Sequence, residues 1–243
     1  MASEGTIRGK ESAGRARSSS LVSIRARRIF RENGLSIVLT VMFLGTLVPM
    51  SVAGWHSGNE ERREHGAAPV GYPEYLVSDH FWEAMMENWE SEFLQMAFYV
   101  ILTVFLFQKG SAESKDPEEP EEVDRQPSRK RKDAPWPVAA GGLVLKLYEN
   151  SLSLAFLFLF AVSFALHASS GASEYSQDQL QHRGTTVSTL QYVGTSRFWF
   201  ESFQNWQSEF LAILAMVVLS IHLRQKGSPE SKPVDSPHYQ TGV

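Results

Sequence analysis

A repeat constrains this chain more than any other feature. Shifting the numbering by 117 lays residues 33–115 on residues 150–232 without a gap. The densest agreement is FWEAMMENWESEFLQMAFYVILTVFLFQKGSAESK (81–115) against FWFESFQNWQSEFLAILAMVVLSIHLRQKGSPESK (198–232), identical at 18 of 35 positions. Each copy carries two long apolar runs, so the repeating unit reads as a hairpin of two membrane-spanning helices. A unit with an even number of spans re-enters the membrane the same way round. The two copies are therefore expected to relate by a pseudo-twofold axis along the membrane normal.

The lengths of the apolar runs fit this reading. About 17–25 apolar residues cross ~30 Å of hydrocarbon. Leu35 to Ala53 qualifies, and Leu143 to Ser170 contains a second such run, densest from Leu152 to Leu166. Phe93 to Phe107 and Phe210 to Leu223 are shorter. Measured from Trp89 to Gln108, however, the first of these reaches ~28 Å at 1.5 Å per residue. Tryptophan at one end and lysine just past the other are the residues that anchor spans at the two interfaces. The expected fold is an all-α membrane protein of four transmembrane helices with short helices on the outer side.

Charge orients it. Of the 23 Lys and Arg, only Arg62, Arg63, Arg183 and Arg197 fall in the segments 54–92 and 171–209. The rest flank the other ends of the apolar runs, which places both termini and the 108–147 connection in the cytoplasm. Arg25 to Arg31 followed by an apolar run and Ser51-Val52-Ala53 mimics a secretory signal. The matching run after Asn150 is internal and cannot be one, so both runs are read as structure. With no cysteine, disulfides and thiol chemistry are excluded.

The expected organisation is a basic disordered tail (1–28), a first two-span repeat (29–110) and a charged cytoplasmic linker (111–140). A second repeat (141–227) and a disordered tail (228–243) complete it. The RKRK run in the linker, beside a span, reads as a topology determinant and not as a nucleic-acid patch. Ser78 or Asp79, and Thr195 or Ser196, are placed to cap helices that start at the outer interface and run inward.

The polar residues shared by the two copies are the candidate site. Asn88, Ser91 and Glu92 are matched by Asn205, Ser208 and Glu209. Asn and Glu at i and i+4 share a helix face, and the Glu lies ~4.5 Å deeper than the neighbouring Trp. Carboxylates there tie helices together through hydrogen bonds or, if the two copies converge, share a proton or a cation. Phe81, Trp82 and Trp89, with Phe198, Trp199 and Trp206, are expected to form an outer aromatic belt. His65 and His182 coincide under the shift and are weak metal candidates without a metal-binding spacing. Tyr75 and Tyr192 also coincide. No phosphate loop, nucleophile elbow or HExxH motif is present, so neither an enzyme nor a cofactor is expected.

Several strings carry a family likeness: NGLSIVL after an Arg-rich start, GW followed by NEERREHG, YLVSDHFWEA, NWESEFLQM and QKGSAESKDP. In these the chain resembles an uncharacterised bacterial family of multi-pass membrane proteins, defined by a domain of unknown function. The likeness spans roughly residues 28–117, and the second half follows through NWQSEFL and RQKGSPESK. It implies a bacterial cytoplasmic membrane and brings no activity, ligand or catalytic residue. The second half departs from the pattern, with Ala172 in place of Trp55 and Ser176 in place of Asn59.

The expected role is a non-enzymatic scaffold or envelope-stress protein. Its partners would be the lipid bilayer and either a second copy or another membrane protein, with no nucleic acid. The alternative is a small proton- or cation-coupled transporter or channel built on Glu92 and Glu209.

Overall fold

A computed structural model describes the backbone of residues 4–242 and the side chains of Arg25 and residues 27–242. The basic tail expected at 1–28 lies mostly outside the described side chains. All regular structure among the described residues is helical. Residues up to Tyr72 form one compact unit and residues from Pro73 onward form another.

The first unit is dominated by α1 (Glu4–Glu64), which leaves helical geometry at Asn33, with φ −131° and ψ 16°. The Asn33 amide donates to the Ile29 carbonyl, the local bonding by which asparagine competes with helix continuation. After α1 the chain turns back on the helix end and reaches the short α2 (Tyr72–Tyr75). Asn59 accepts from the Val70 amide at 2.7 Å and donates to the Val70 carbonyl at 3.1 Å. Trp55 donates to the same carbonyl at 2.8 Å, and Ser51 meets the Tyr72 hydroxyl at 2.7 Å.

The second unit repeats this grammar. Helices α5 (Gly142–Glu149) and α6 (Ser151–Gln181) are broken apart at Asn150, with φ −113° and ψ 10°. The Asn150 amide donates to the carbonyl four residues back, on Lys146. Ser176 then holds Val187 as Asn59 holds Val70, accepting from its amide at 3.0 Å and donating to its carbonyl at 3.2 Å. The departure from Asn to Ser keeps the bond from the valine amide, while the single hydroxyl proton is shared between the Ala172 carbonyl at 2.7 Å and that of Val187.

Helices α3 (Asp79–Phe105) and α8 (Ser196–His222) have 27 residues each. Their first and last residues stand 117 apart, the shift seen in the sequence. Ser78 and Thr195 cap them by accepting from the Phe81 and Phe198 amides. Both helices end three residues before the glutamine of a QKGS turn, whose Gly110 and Gly227 each take a φ of 85°. Side chains other than glycine rarely enter that region.

Helix α3 lies along α6 and also touches α8, while the short α7 (Thr189–Val193) packs on α6. Between α3 and α6 come a 3-10 turn (Glu122–Asp124) and α4 (Trp136–Ala140). Lys115 and Asp124 pair across the start of this connection at 2.5 Å.

Among the described residues, two helices are long and apolar enough to cross a membrane: the 27–64 part of α1, and α6. The unit from Pro73 onward has an inverted distribution of polarity. Glu90, Ser91, Gln95, Ser163, His167, Ser202 and Ser220 are buried. Phe98, Leu102 and Val104 on α3, Phe158 and Val162 on α6, and Leu211, Leu214 and Val218 on α8 are exposed.

Candidate functional site

A cluster of ionisable residues lies where α3, α6, α7 and the start of α8 meet. Helix α3 brings Glu83, Glu87 and Glu90, whose i, i+4, i+7 spacing puts three carboxylates on one face. Helix α6 brings His167, α7 brings Tyr192, and α8 brings Arg197, Glu201, Asn205 and Trp206.

His167 is the centre, with no exposed surface, and neither has Glu90. Its Nδ1 stands 3.0 Å from Glu90 Oε2, and its Nε2 stands 3.7 Å from Glu201 Oε2. The other oxygen of Glu90 accepts from Trp206 Nε1 at 3.2 Å. Phe198 stacks on the imidazole with a centroid separation of 4.9 Å and an interplanar angle of 27°. One histidine thus links three helices, and an aromatic lid closes one of its faces.

The outer rim of the cluster is charged. Glu201 receives the Tyr192 hydroxyl and, at 2.7 Å, Arg197 Nε. Tyr192 also reaches Glu83 Oε1 at 3.4 Å. Arg197 extends further, to Asp178 at 3.6 Å, and its cation lies over the Tyr175 ring. Glu87 accepts from Gln204 at 3.1 Å and Asn205 at 2.7 Å, which ties α3 to α8.

Environment separates the rim carboxylates. Burial pushes Glu83 up to about 7, and the charges of Glu201 and Glu174 push the same way. Burial would also raise Glu201, but hydrogen bonds from His167, Tyr192 and Arg197 outweigh it and hold Glu201 down at about 2. Burial raises Glu87 as well, opposed by the Gln204 hydrogen bond. At neutral pH, Glu201 is therefore a fixed anion, while Glu83 sits near its midpoint.

The residues that the two copies share are distributed differently. Asn88 is exposed, with its amide on the Ala84 carbonyl, and the buried Ser91 hydroxyl donates to the Asn88 carbonyl. Ser208 bonds the Asn205 carbonyl in the same way. Asn205 alone of these six reaches the cluster, through Glu87.

Glu92 is exposed and Glu209 half-buried. Their charges act on each other, and the Glu209 carbonyl accepts from Gln95 at 2.8 Å. Phe81 and Phe198 are buried, whereas Trp82 and Trp199 are part-exposed, at 38% and 37%. Trp89 packs edge-on against Phe93. His65 and His182 each bond the carbonyl four residues back, on Glu61 and Asp178. Among the described residues, no group of three His, Cys, Asp or Glu is disposed to hold a metal ion.

Residues 26–243 match the model of one family, a domain of unknown function designated DUF6766. The chain belongs to that family. The match covers every residue of the DUF6766 polar cluster. No curated protein and no solved structure matches the chain.

Proposed function

We propose that this DUF6766 protein is a four-span protein of the bacterial cytoplasmic membrane, two tandem hairpins with both termini inside. Its role in this reading is structural and non-enzymatic, as a scaffold held together at its outward end by the His167 cluster. The carrying observation is the inversion of polarity from Pro73 onward, with Glu90 and His167 fully buried while leucines and phenylalanines of α3, α6 and α8 face out. In water that arrangement exposes apolar surface and buries charge, and both are costly. In a bilayer it is the stable one, because ionisable groups in membranes turn to the bundle interior and pair. Helices α3 and α8 share the pattern, which supports counting them as spans.

Topology is testable directly because the chain has no cysteine. Single cysteines at Glu119 and Ser228 should react with a membrane-impermeant thiol reagent only from the cytoplasmic side. Those at Glu64 and Gln181 should react only from the outside. Labelling of Glu64 and Glu119 positions from the same side would overturn the first hairpin.

A second reading, a proton- or cation-coupled carrier, draws on the interacting charges of Glu92 and Glu209. Flux in proteoliposomes separates the two. Proton or cation flux that is lost in Glu92→Gln/Glu209→Gln, with the protein still folded, favours the carrier. Absence of flux in both proteins, with a lowered melting temperature in the double variant, favours the scaffold.

A further inference from the structure

We propose that His167, clamped between Glu90 and Glu201, is a proton-binding site loaded from the outer rim. This goes beyond the scaffold reading and rests only on the packing of α3, α6, α7 and α8, whichever way the span count falls.

The imidazole Nδ1 faces Glu90 Oε2 at 3.0 Å and Nε2 faces Glu201 Oε2 at 3.7 Å. A neutral imidazole has one N–H, so in that form one ring nitrogen would aim its lone pair at a carboxylate oxygen. Only the doubly protonated ring presents a donor to both. His167 Nε2 is buried and makes no hydrogen bond of normal length. The nitrogen that would give up the second proton is therefore the one loosely held.

Charge bookkeeping agrees. Facing the ring are Glu83, Glu87 and Glu90 from α3, Tyr192 from α7, and Arg197 and Glu201 from α8. Glu174 and Asp178 lie further along α6. The carboxylates of Glu87, Glu90 and Glu201 outnumber the one cation, Arg197, and an imidazolium offsets part of that excess. Removing the ring proton deepens the net negative charge in a buried site, which burial penalises. Phe198, stacked on the ring, favours the cation further.

Access sets direction. Glu90 has no exposed surface, so it anchors the inner side. Glu201 keeps 15% of its side chain exposed and Arg197 40%. A proton therefore enters from water at the Arg197 rim and passes to the Nε2 lone pair, with Glu201 Oε2 remaining ionised beside it. Release retraces that route. Tyr192, bonded to Glu201 and reaching Glu83, joins the neighbour that titrates near neutrality to the same rim. A divalent cation fits less well, since no metal-holding geometry exists among the described residues.

The test is ring-15N NMR of the full chain in lipid nanodiscs. The His167 signals are assigned by their loss in His167→Gln, and Glu201→Gln is run alongside. In the wild type both ring nitrogens are expected to carry protons at about pH 7. In Glu201→Gln the pH at which the second proton leaves should fall by about one unit or more. A wild-type ring that is neutral at about pH 6 overturns the proposal, as does a Glu201→Gln profile that superposes on the wild type. If His167→Gln fails to fold, Phe198→Leu assigns the ring instead, through loss of the stacking shift.

Discussion

A Cβ built on Gly171 would lie 2.6 Å from the Tyr192 ring, closer than side chains ever approach. Helix α6 is smooth there so that Tyr192, with no exposed surface, can seat against Gly171 and deliver its hydroxyl to Glu201 and Glu83. Gly171→Ala gains helix propensity but must displace a fully buried aromatic ring. Overpacking of this kind costs about 1–3 kcal/mol, more than the ~1 kcal/mol an alanine gains over glycine inside a helix. Thermal unfolding in detergent should show a lowered midpoint. Gly45→Ala, with nothing within 4 Å, should show an unchanged or slightly raised one. Equal responses would refute the close-packing account.

Asn59 and Ser176 perform one task with different chemistry, each pinning a valine eleven residues later through its amide and its carbonyl. Truncating either to alanine leaves a part-buried backbone pair without its partner, at about 1–3 kcal/mol. The effect should be local. Amide exchange should accelerate around Val70 in Asn59→Ala and around Val187 in Ser176→Ala, and not the reverse. Asn59→Ser should recover much of the protection of the Val70 amide, because the Ser176 hydroxyl accepts the Val187 amide in the same way. Uniform acceleration across both segments in either variant would contradict two separate pins.

How much of this is legible in the sequence depends on whether the two copies agree. The helix starts are plain, because Ser78 and Thr195 stand where a hydroxyl must cap, and the glycines at 110 and 227 mark where each helix must stop. The shared asparagines at 33 and 150, where both long helices break, belong to the same readable set. The charged members of the cluster are hidden by the same logic, since they stand at positions where the copies differ. Glu83, Glu87 and Glu90 are answered by Phe200, Gln204 and Gln207, while His167 is answered by Met50 and Glu201 by Ala84. A search for shared polar residues finds Glu92 and Glu209 and passes over these. Two signals were available within single copies: three carboxylates at i, i+4, i+7, and a histidine ending the apolar run Leu152–Leu166. What no sequence pattern supplies is the pairing itself, which comes from the packing of α3 along α6.

Glu83 gives the pH dependence its sign. Its folded pKa is raised to about 7 from 4.5, chiefly by burial, so the folded state holds a proton that the unfolded chain releases earlier. The stabilisation is complete below about pH 4.5, shrinks as pH rises, and is gone above about pH 7, for a total of about 3 kcal/mol. Glu201, held at about 2, stays ionised across this range and adds no slope. Glu83→Gln fixes the neutral form. Its melting temperature should match the wild type near pH 5 and exceed it near pH 8. A wild type whose stability is flat from about pH 5 to 8 would sink this account.

Lys232 closes the far end of the second unit. Lys232, 1% exposed, shares its three N–H donors among the carbonyls of Gly110 at 2.5 Å, Gln240 at 2.8 Å, His238 at 3.1 Å and Pro237 at 3.3 Å. One cation thereby gathers the C-terminal segment onto the QKGS turn after α3, and Gly242 adds a hydrogen bond to the Ser111 carbonyl. Four carbonyl dipoles pointing inward need a positive charge, and an apolar side chain of similar length leaves them unsatisfied. Lys232→Met should therefore release residues 233–242 while the Ser111–Ser220 hydroxyl contact at 2.9 Å keeps the helix ends together. Limited chymotrypsin digestion reads this out at Tyr239, which should be cut severalfold faster in the variant with the melting temperature of the helices little changed. Cleavage at the wild-type rate would mean the segment is held by its other contacts and that Lys232 is not the clasp.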